Sequence, residues 1–115
     1  MSNAALTIEE KRIGEKAILA LMGELDAKTT PTLKAKLDAL LAGGVKHLLV
    51  DCGRLTYVAS AGIGALNAAL KTLKDNGGKL ILSALTNEVR DTMDLMFFTK
   101  RVQTYPTRAD GEKNL

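Results

Sequence analysis

The chain has 115 residues, 46% hydrophobic and 25% charged, with a formal net charge of +3. That length leads us to expect one domain, 1–115, whose core needs no disulfide or metal staple. No apolar run reaches the roughly 18–20 residues of a membrane-spanning helix. Nor do the basic residues form the aromatic-interleaved stripe that nucleic-acid binding uses.

In chain order, Ser2-Asn3-Ala4 reads as a cloning remnant with no fold information. Leu6 to Lys11 and Lys16 to Met22 are extended runs, predicted to form a hairpin across Ile13-Gly14-Glu15. Gly23-Glu24-Leu25-Asp26 is expected to leave the sheet. Thr30-Pro31 reads as a helix start, a hydroxyl cap followed by proline at the first helical position. Leu33, Leu37, Leu40 and Leu41 recur at helical spacing, and Gly43-Gly44 closes that helix.

His47 to Val50 is a short apolar strand running into Asp51, with the continuous apolar pattern of a strand covered on both faces. A loop is expected next. The second helix starts near Ser60, carries Ile63, Leu66, Leu70 and Leu73 on one stripe, and stops at Asn76-Gly77-Gly78. Lys79 to Ser83 reads as another buried strand. Thr86 or Asn87 caps a third helix with Val89, Met93 and Met96 inside. Arg101 to Tyr105 reads as an edge strand stopped by Pro106, and Thr107 to Leu115 as a frayed polar tail. The order β-β-α-β-α-β-α-β places the chain in the α/β class. It predicts a mixed, mostly parallel sheet of four to five strands with three to four helices and right-handed crossovers.

The segment 56-TYVASAGIGALNAAL-70 sets one hydroxyl, Ser60, among very small neighbours where a helix begins. Ligands and partners of parallel α/β sheets meet this end, the carboxyl ends of the strands. Either Ser60 caps the helix, or it stands where another protein can reach it past Ala59, Ala61 and Gly62. Other chemistry fits poorly. Val58 replaces the first glycine of a hydrolase elbow, and the only histidine, His47, lies about 15 Å away across four or five strand residues. Gly62 and Gly64 are a fragment of a nucleotide fingerprint without the rest, and Gly64 reads as a close-packing glycine. One Cys and one His give no metal-ligand spacing.

Cys52 has no internal partner, and no basic-then-apolar leader opens the chain, so a reducing cytoplasm is the expected setting. Lys71, Lys74 and Lys79, and the pair Lys100-Arg101, read as solvated faces. Phe97-Phe98 reads as core.

From about Ile8 to Tyr105 the sequence resembles the STAS domains, and within them the single-domain bacterial anti-sigma factor antagonists. The segments 23-GELDAKTTPTLKAKLDALL-41, 46-KHLLVDCGRLTYV-58, 60-SAGIGAL-66 and 77-GGKLILSALTNEVRDTMDL-95 carry the resemblance. It implies the STAS fold and a binding protein that is not an enzyme. It implies regulation by reversible phosphorylation of Ser60, by an ATP-dependent serine kinase that is also the anti-sigma factor. A metal-dependent serine/threonine phosphatase would reset the switch. The implied partner-binding residues are Asp26, Thr56, Ala59, Ser60, Ala61, Gly62 and Ile63.

The sequence departs from the family pattern at Ala59 (usually Asp), Ala61 (usually a second hydroxyl) and Phe97 (usually Gly), and the usual last helix is hardly visible. The resemblance implies no cofactor, no direct contact with nucleic acid or membrane, and a monomer. The alternative within the family is a subunit of a membrane lipid- or anion-transport complex with no phosphate cycle. A small-ligand or nucleotide-binding domain is the alternative from another class.

Overall fold

The computed structural model describes residues 5–115, so the Ser2-Asn3-Ala4 stretch lies outside the described residues. Strands β1 (Leu6–Ile13) and β2 (Lys16–Leu25) form the expected hairpin, antiparallel from Leu6↔Gly23 to Ile13↔Lys16. Then follow α1 (Thr30–Ala42), β3 (His47–Val58), α2 (Ser60–Asp75), β4 (Lys79–Ser83), α3 (Asn87–Leu95), a 3-10 turn at Phe98–Lys100, β5 (Gln103–Tyr105) and α4 (Arg108–Lys113). The strands lie side by side in chain order, and β2 to β5 are parallel. Each step moves the same way across the sheet, so right-handed crossovers put α1, α2 and α3 on one face.

That face holds the main core. Leu19 and Leu21 of β2, Leu48 and Val50 of β3 and Leu82 of β4 meet Leu33 and Leu37 of α1, Leu66 and Leu73 of α2 and Val89 and Met93 of α3. The opposite face carries a small cluster of Ile18, Leu49 and Ile81, with Tyr105 and Leu115 against it.

Several elements differ from the sequence reading. Gly23 to Leu25 do not leave the sheet; they pair with Leu55, Tyr57 and Val58 of β3. Gly23 takes φ +104, and a Cβ there would meet the Ala5 carbonyl oxygen at 2.2 Å, so only glycine fits. Thr30 does not cap α1. Thr29 is the cap residue, and the Thr30 hydroxyl instead donates to the Asp26 carbonyl at 2.6 Å.

β3 does not end near Asp51 but runs to Val58. Twice it carries one residue more than β2, between Ala20↔Asp51 and Met22↔Arg54 and between Gly23↔Leu55 and Glu24↔Tyr57. These bulges stretch the buried period, so that Cys52, Leu55 and Val58 all face the core at every third residue. Met96 lies outside α3 and is exposed. Phe98 is core, but Phe97 is exposed in a left-handed conformation, φ +60.

The tail is not frayed. Thr107 caps α4 by accepting from the Asp110 N–H at 3.1 Å. Gly111 is buried where a Cβ would lie 2.9 Å from a Leu49 methyl, and Arg108 pairs with Asp51 at 3.6 Å.

Candidate functional site

The last residues of β2 and β3 leave the sheet together. Leu25 pairs with Val58, and the Ala59 N–H donates to the Leu25 carbonyl at 2.8 Å. Asp26 and Ser60 therefore begin their departures from neighbouring strands. Ala59 is extended and is the cap residue of α2, so Ser60 is the first helical residue rather than the cap. The turn tightens at once: the N–H groups of Gly62 and Ile63 both donate to the Ala59 carbonyl, at 3.0 and 3.2 Å. The amides of Ser60 and Ala61 have no backbone partner among the described residues.

Ser60 is exposed, and its hydroxyl makes no hydrogen bond within the described residues. Ala61 is exposed beside it, and Ala59 is half-buried. Of the two readings offered by the sequence, the capping one does not hold, because Ala59 is the cap residue. Gly62 and Ile63 turn inward. A Cβ on Gly62 would sit 2.4 Å from Leu25 Cγ, which makes Gly62 the close-packing glycine. Gly64, given that role from sequence, is exposed with open space around it.

Asp26 builds the neighbouring turn. Its carboxylate accepts the N–H of Lys28 at 2.9 Å, the N–H of Thr29 at 3.0 Å and the Thr29 hydroxyl at 3.2 Å. The Thr29 N–H foremost, then that of Lys28, hold its carboxyl below the ordinary aspartate value. The Thr56 hydroxyl is committed, donating to the Gly23 carbonyl at 2.9 Å across the bulged strands. Ser60 is thus an uncommitted hydroxyl at the start of α2, with that of Tyr57 beside it at the end of β3 also making no hydrogen bond among the described residues.

The sequence reading missed Tyr57, 49% exposed at the end of β3 and paired with Glu24. An exposed aromatic among the buried Leu55 and Val58 would have signalled it, had β3 been traced that far. His47 stands at the opposite end of the twelve-residue β3, roughly 35 Å from Ser60 at strand rise, farther than the sequence suggested. Its Nδ1 is buried without a partner. Cys52 is fully buried, and burial, with Asp51 beside it, pushes its thiol up to about 12. Among the described residues no cluster of His, Cys, Asp or Glu could hold a metal ion, and no helix is long and apolar enough to cross a membrane.

The family model for the STAS domain matches residues 7–111. BtrV of Bordetella bronchiseptica, provisionally named an anti-sigma factor antagonist, is 30% identical over 76% of this chain and 75% of its own. A solved anti-sigma factor antagonist from Mycobacterium paratuberculosis superposes with a TM-score of 0.88 at 22% identity, over 98% of this chain and 96% of its own. The anti-sigma factor antagonist SpoIIAA superposes at 0.83 in its unphosphorylated form, at 18% identity over 94% of this chain and 95% of its own. Bacillus SpoIIAA in its phosphorylated form superposes at 0.76, at 19% identity over 94% and 98%.

Proposed function

The chain belongs to the STAS domain family, and from that premise we propose that it is an anti-sigma factor antagonist switched by phosphorylation of Ser60. The observation that carries this reading is the state of the Ser60 hydroxyl: exposed, at the first turn of α2, and without an intramolecular hydrogen bond among the described residues. A partner that is both kinase and anti-sigma factor binds this end of the molecule. It transfers the terminal phosphoryl group of ATP to the serine oxygen, whose proton is lost. A metal-dependent phosphatase resets the serine by hydrolysis: water takes the phosphoryl group, inorganic phosphate leaves and the serine oxygen regains a proton. Tyr57 gives the face the large anchor that the small-residue turn lacks.

Phosphorylation would leave the fold intact. The phosphate would sit beside the free amides of Ser60 and Ala61 at the positive end of the α2 dipole, where an anion is tolerated. Nearly two negative charges and several acceptors would then occupy a turn whose own side chains, Ala59, Ala61 and Gly62, are small and uncharged. Against a closely packed partner that addition lowers affinity by about a hundredfold, or ~2.8 kcal/mol.

The test is a lysate pull-down followed by titration of the captured protein. Wild type should capture an ATP-binding serine-kinase-like protein, and Ser60→Asp should bind it about a hundredfold more weakly. Ser60→Ala should bind normally yet take no phosphate from it. Equal affinity of wild type and Ser60→Asp would reject the switch.

A further inference from the structure

We propose that the end of the molecule away from Ser60 carries a second interaction surface, and that its partner is a second copy of this chain. Leu95, Met96 and Phe97 follow one another at the end of α3 with 80%, 40% and 61% of their surface exposed. They are three of the five large apolar residues left exposed among those described; Ile13 and Tyr57 stand elsewhere. Phe97 adopts φ +60, a conformation that glycine takes freely and a bulky side chain resists. Packing does not explain the strain, because the ring is outside the core. Strain held at an exposed aromatic points to a use for the ring.

The charges around the trio identify the occupant. On one side, Asp91 and Asp94 share a hollow of about 420 Å³ with Leu95 and Phe97. On the other, Lys100 lies 5.7 Å from the Phe97 ring centroid. Lys100 joins Lys71, Lys74 and Arg101 around a second hollow of about 490 Å³. Lys71 is paired with Asp75. Asp91, Asp94, Lys74, Lys100 and Arg101 make no ion pair among the described residues.

The surface is therefore an apolar centre with an acidic rim and a basic rim. A two-fold axis lying in the contact plane carries each rim onto its opposite, so the patch is complementary to itself. An anionic membrane would meet the aspartates, an acidic peptide would meet them too, and a basic peptide would meet the lysines. Lys74 is fourteen residues beyond Ser60 on α2, about 21 Å at helical rise. A dimer formed here leaves both Ser60 ends open and makes a two-headed protein, able to bind paired partner sites with avidity. The dimer is the alternative to the monomer expected from sequence.

Sedimentation velocity of the full chain from about 1 µM to about 1 mM should show a concentration-dependent monomer–dimer equilibrium. Phe97→Gly with Leu95→Ser should weaken association at least about tenfold. Phe97→Gly alone should raise Tm, which separates lost contact from lost fold. Asp91→Lys with Asp94→Lys, and Lys74→Glu with Lys100→Glu, should each abolish self-association, and the two variants should pair when mixed. A wild type monomeric throughout that range would overturn the proposal, and if it floated with anionic vesicles a lipid surface would take its place. A dimer unchanged by the apolar pair of substitutions, or charge variants that fail to pair, would also overturn it.

Discussion

The two halves of β3 are built differently. His47 to Asp51 pair with β2 on one side and β4 on the other, and their side chains alternate between the two faces of the sheet. The second half, from Cys52 to Val58, pairs only with β2, across two bulges, and ends two residues before Ser60. The inner side of this half is still core, for Cys52, Leu55 and Val58 are buried, while its other edge has no strand beside it. The first half thus specifies the sheet. The second uses core contacts on one side to hold an open, small-residue turn on the other.

Substitutions should separate these roles. The largest effect belongs to the first half: Leu48→Ala, in the main core, should cost about 2–5 kcal/mol in denaturant unfolding. Its partner affinity per folded molecule should not change. Next comes the hinge between core and turn. Gly62→Ala forces a methyl against Leu25 and should cost about 1–3 kcal/mol. Gly64→Ala, two residues on with open space, should instead stabilise by about 0.5–1 kcal/mol. Equal signs for the two alanines would break the assignment of Gly62 as the packed glycine.

Cys52 gives a smaller, pH-dependent test that the second half belongs to the core. Its folded value lies near 12 against an ordinary 9.0. Below 9.0 both folded and unfolded chains hold the proton and the thiol contributes nothing to the pH dependence. Above it the unfolded chain loses the proton first, so stability falls, by about 1.4 kcal/mol per pH unit at most, until about 12. At pH 10 the loss should be about 1.4 kcal/mol, absent in Cys52→Ala. The folded thiol should be inert to disulfide reagents.

The same contrast explains what could be read from the sequence. The hairpin, the first half of β3 and β4 were legible from unbroken extended or apolar runs, and the buried stripes of α1 and α2 from an unbroken 3.6 period. The second half of β3 was not. Its bulges space the buried residues by three, and Gly53-Arg54 between them has the composition of a loop. Missing those residues also misplaced Gly23 to Leu25, which are strand only because β3 continues beside them.

α4 escaped because its one buried residue is Gly111, invisible to any hydrophobic pattern. Thr107 and Asp110, three apart after a proline, were the available signal. Ser60 was found, but as a helix-start hydroxyl that could equally be a cap. Only the extended backbone of Ala59, tied to Leu25, assigns the cap elsewhere.

The smallest expected effect asks whether Asp26 builds the turn beside Ser60 or touches the partner. Its carboxylate is held below the ordinary 3.8, chiefly by the Thr29 N–H, so the unfolded chain binds the proton more readily than the folded one. The stability it adds is complete well above 3.8 and is lost as pH falls through that value towards the folded one. Asp26→Asn keeps an acceptor for the amides of Lys28 and Thr29 and should lower Tm only slightly at neutral pH, while flattening the acid limb of the stability curve. Asp26→Ala removes the acceptor and should lower Tm further. If Asp26 is purely architectural, partner affinity should survive Asp26→Asn and weaken only in the alanine variant, whose turn is loosened. If affinity drops equally in both while Tm separates them, the charge itself is a contact, and the partner face spans the ends of β2 and β3 together.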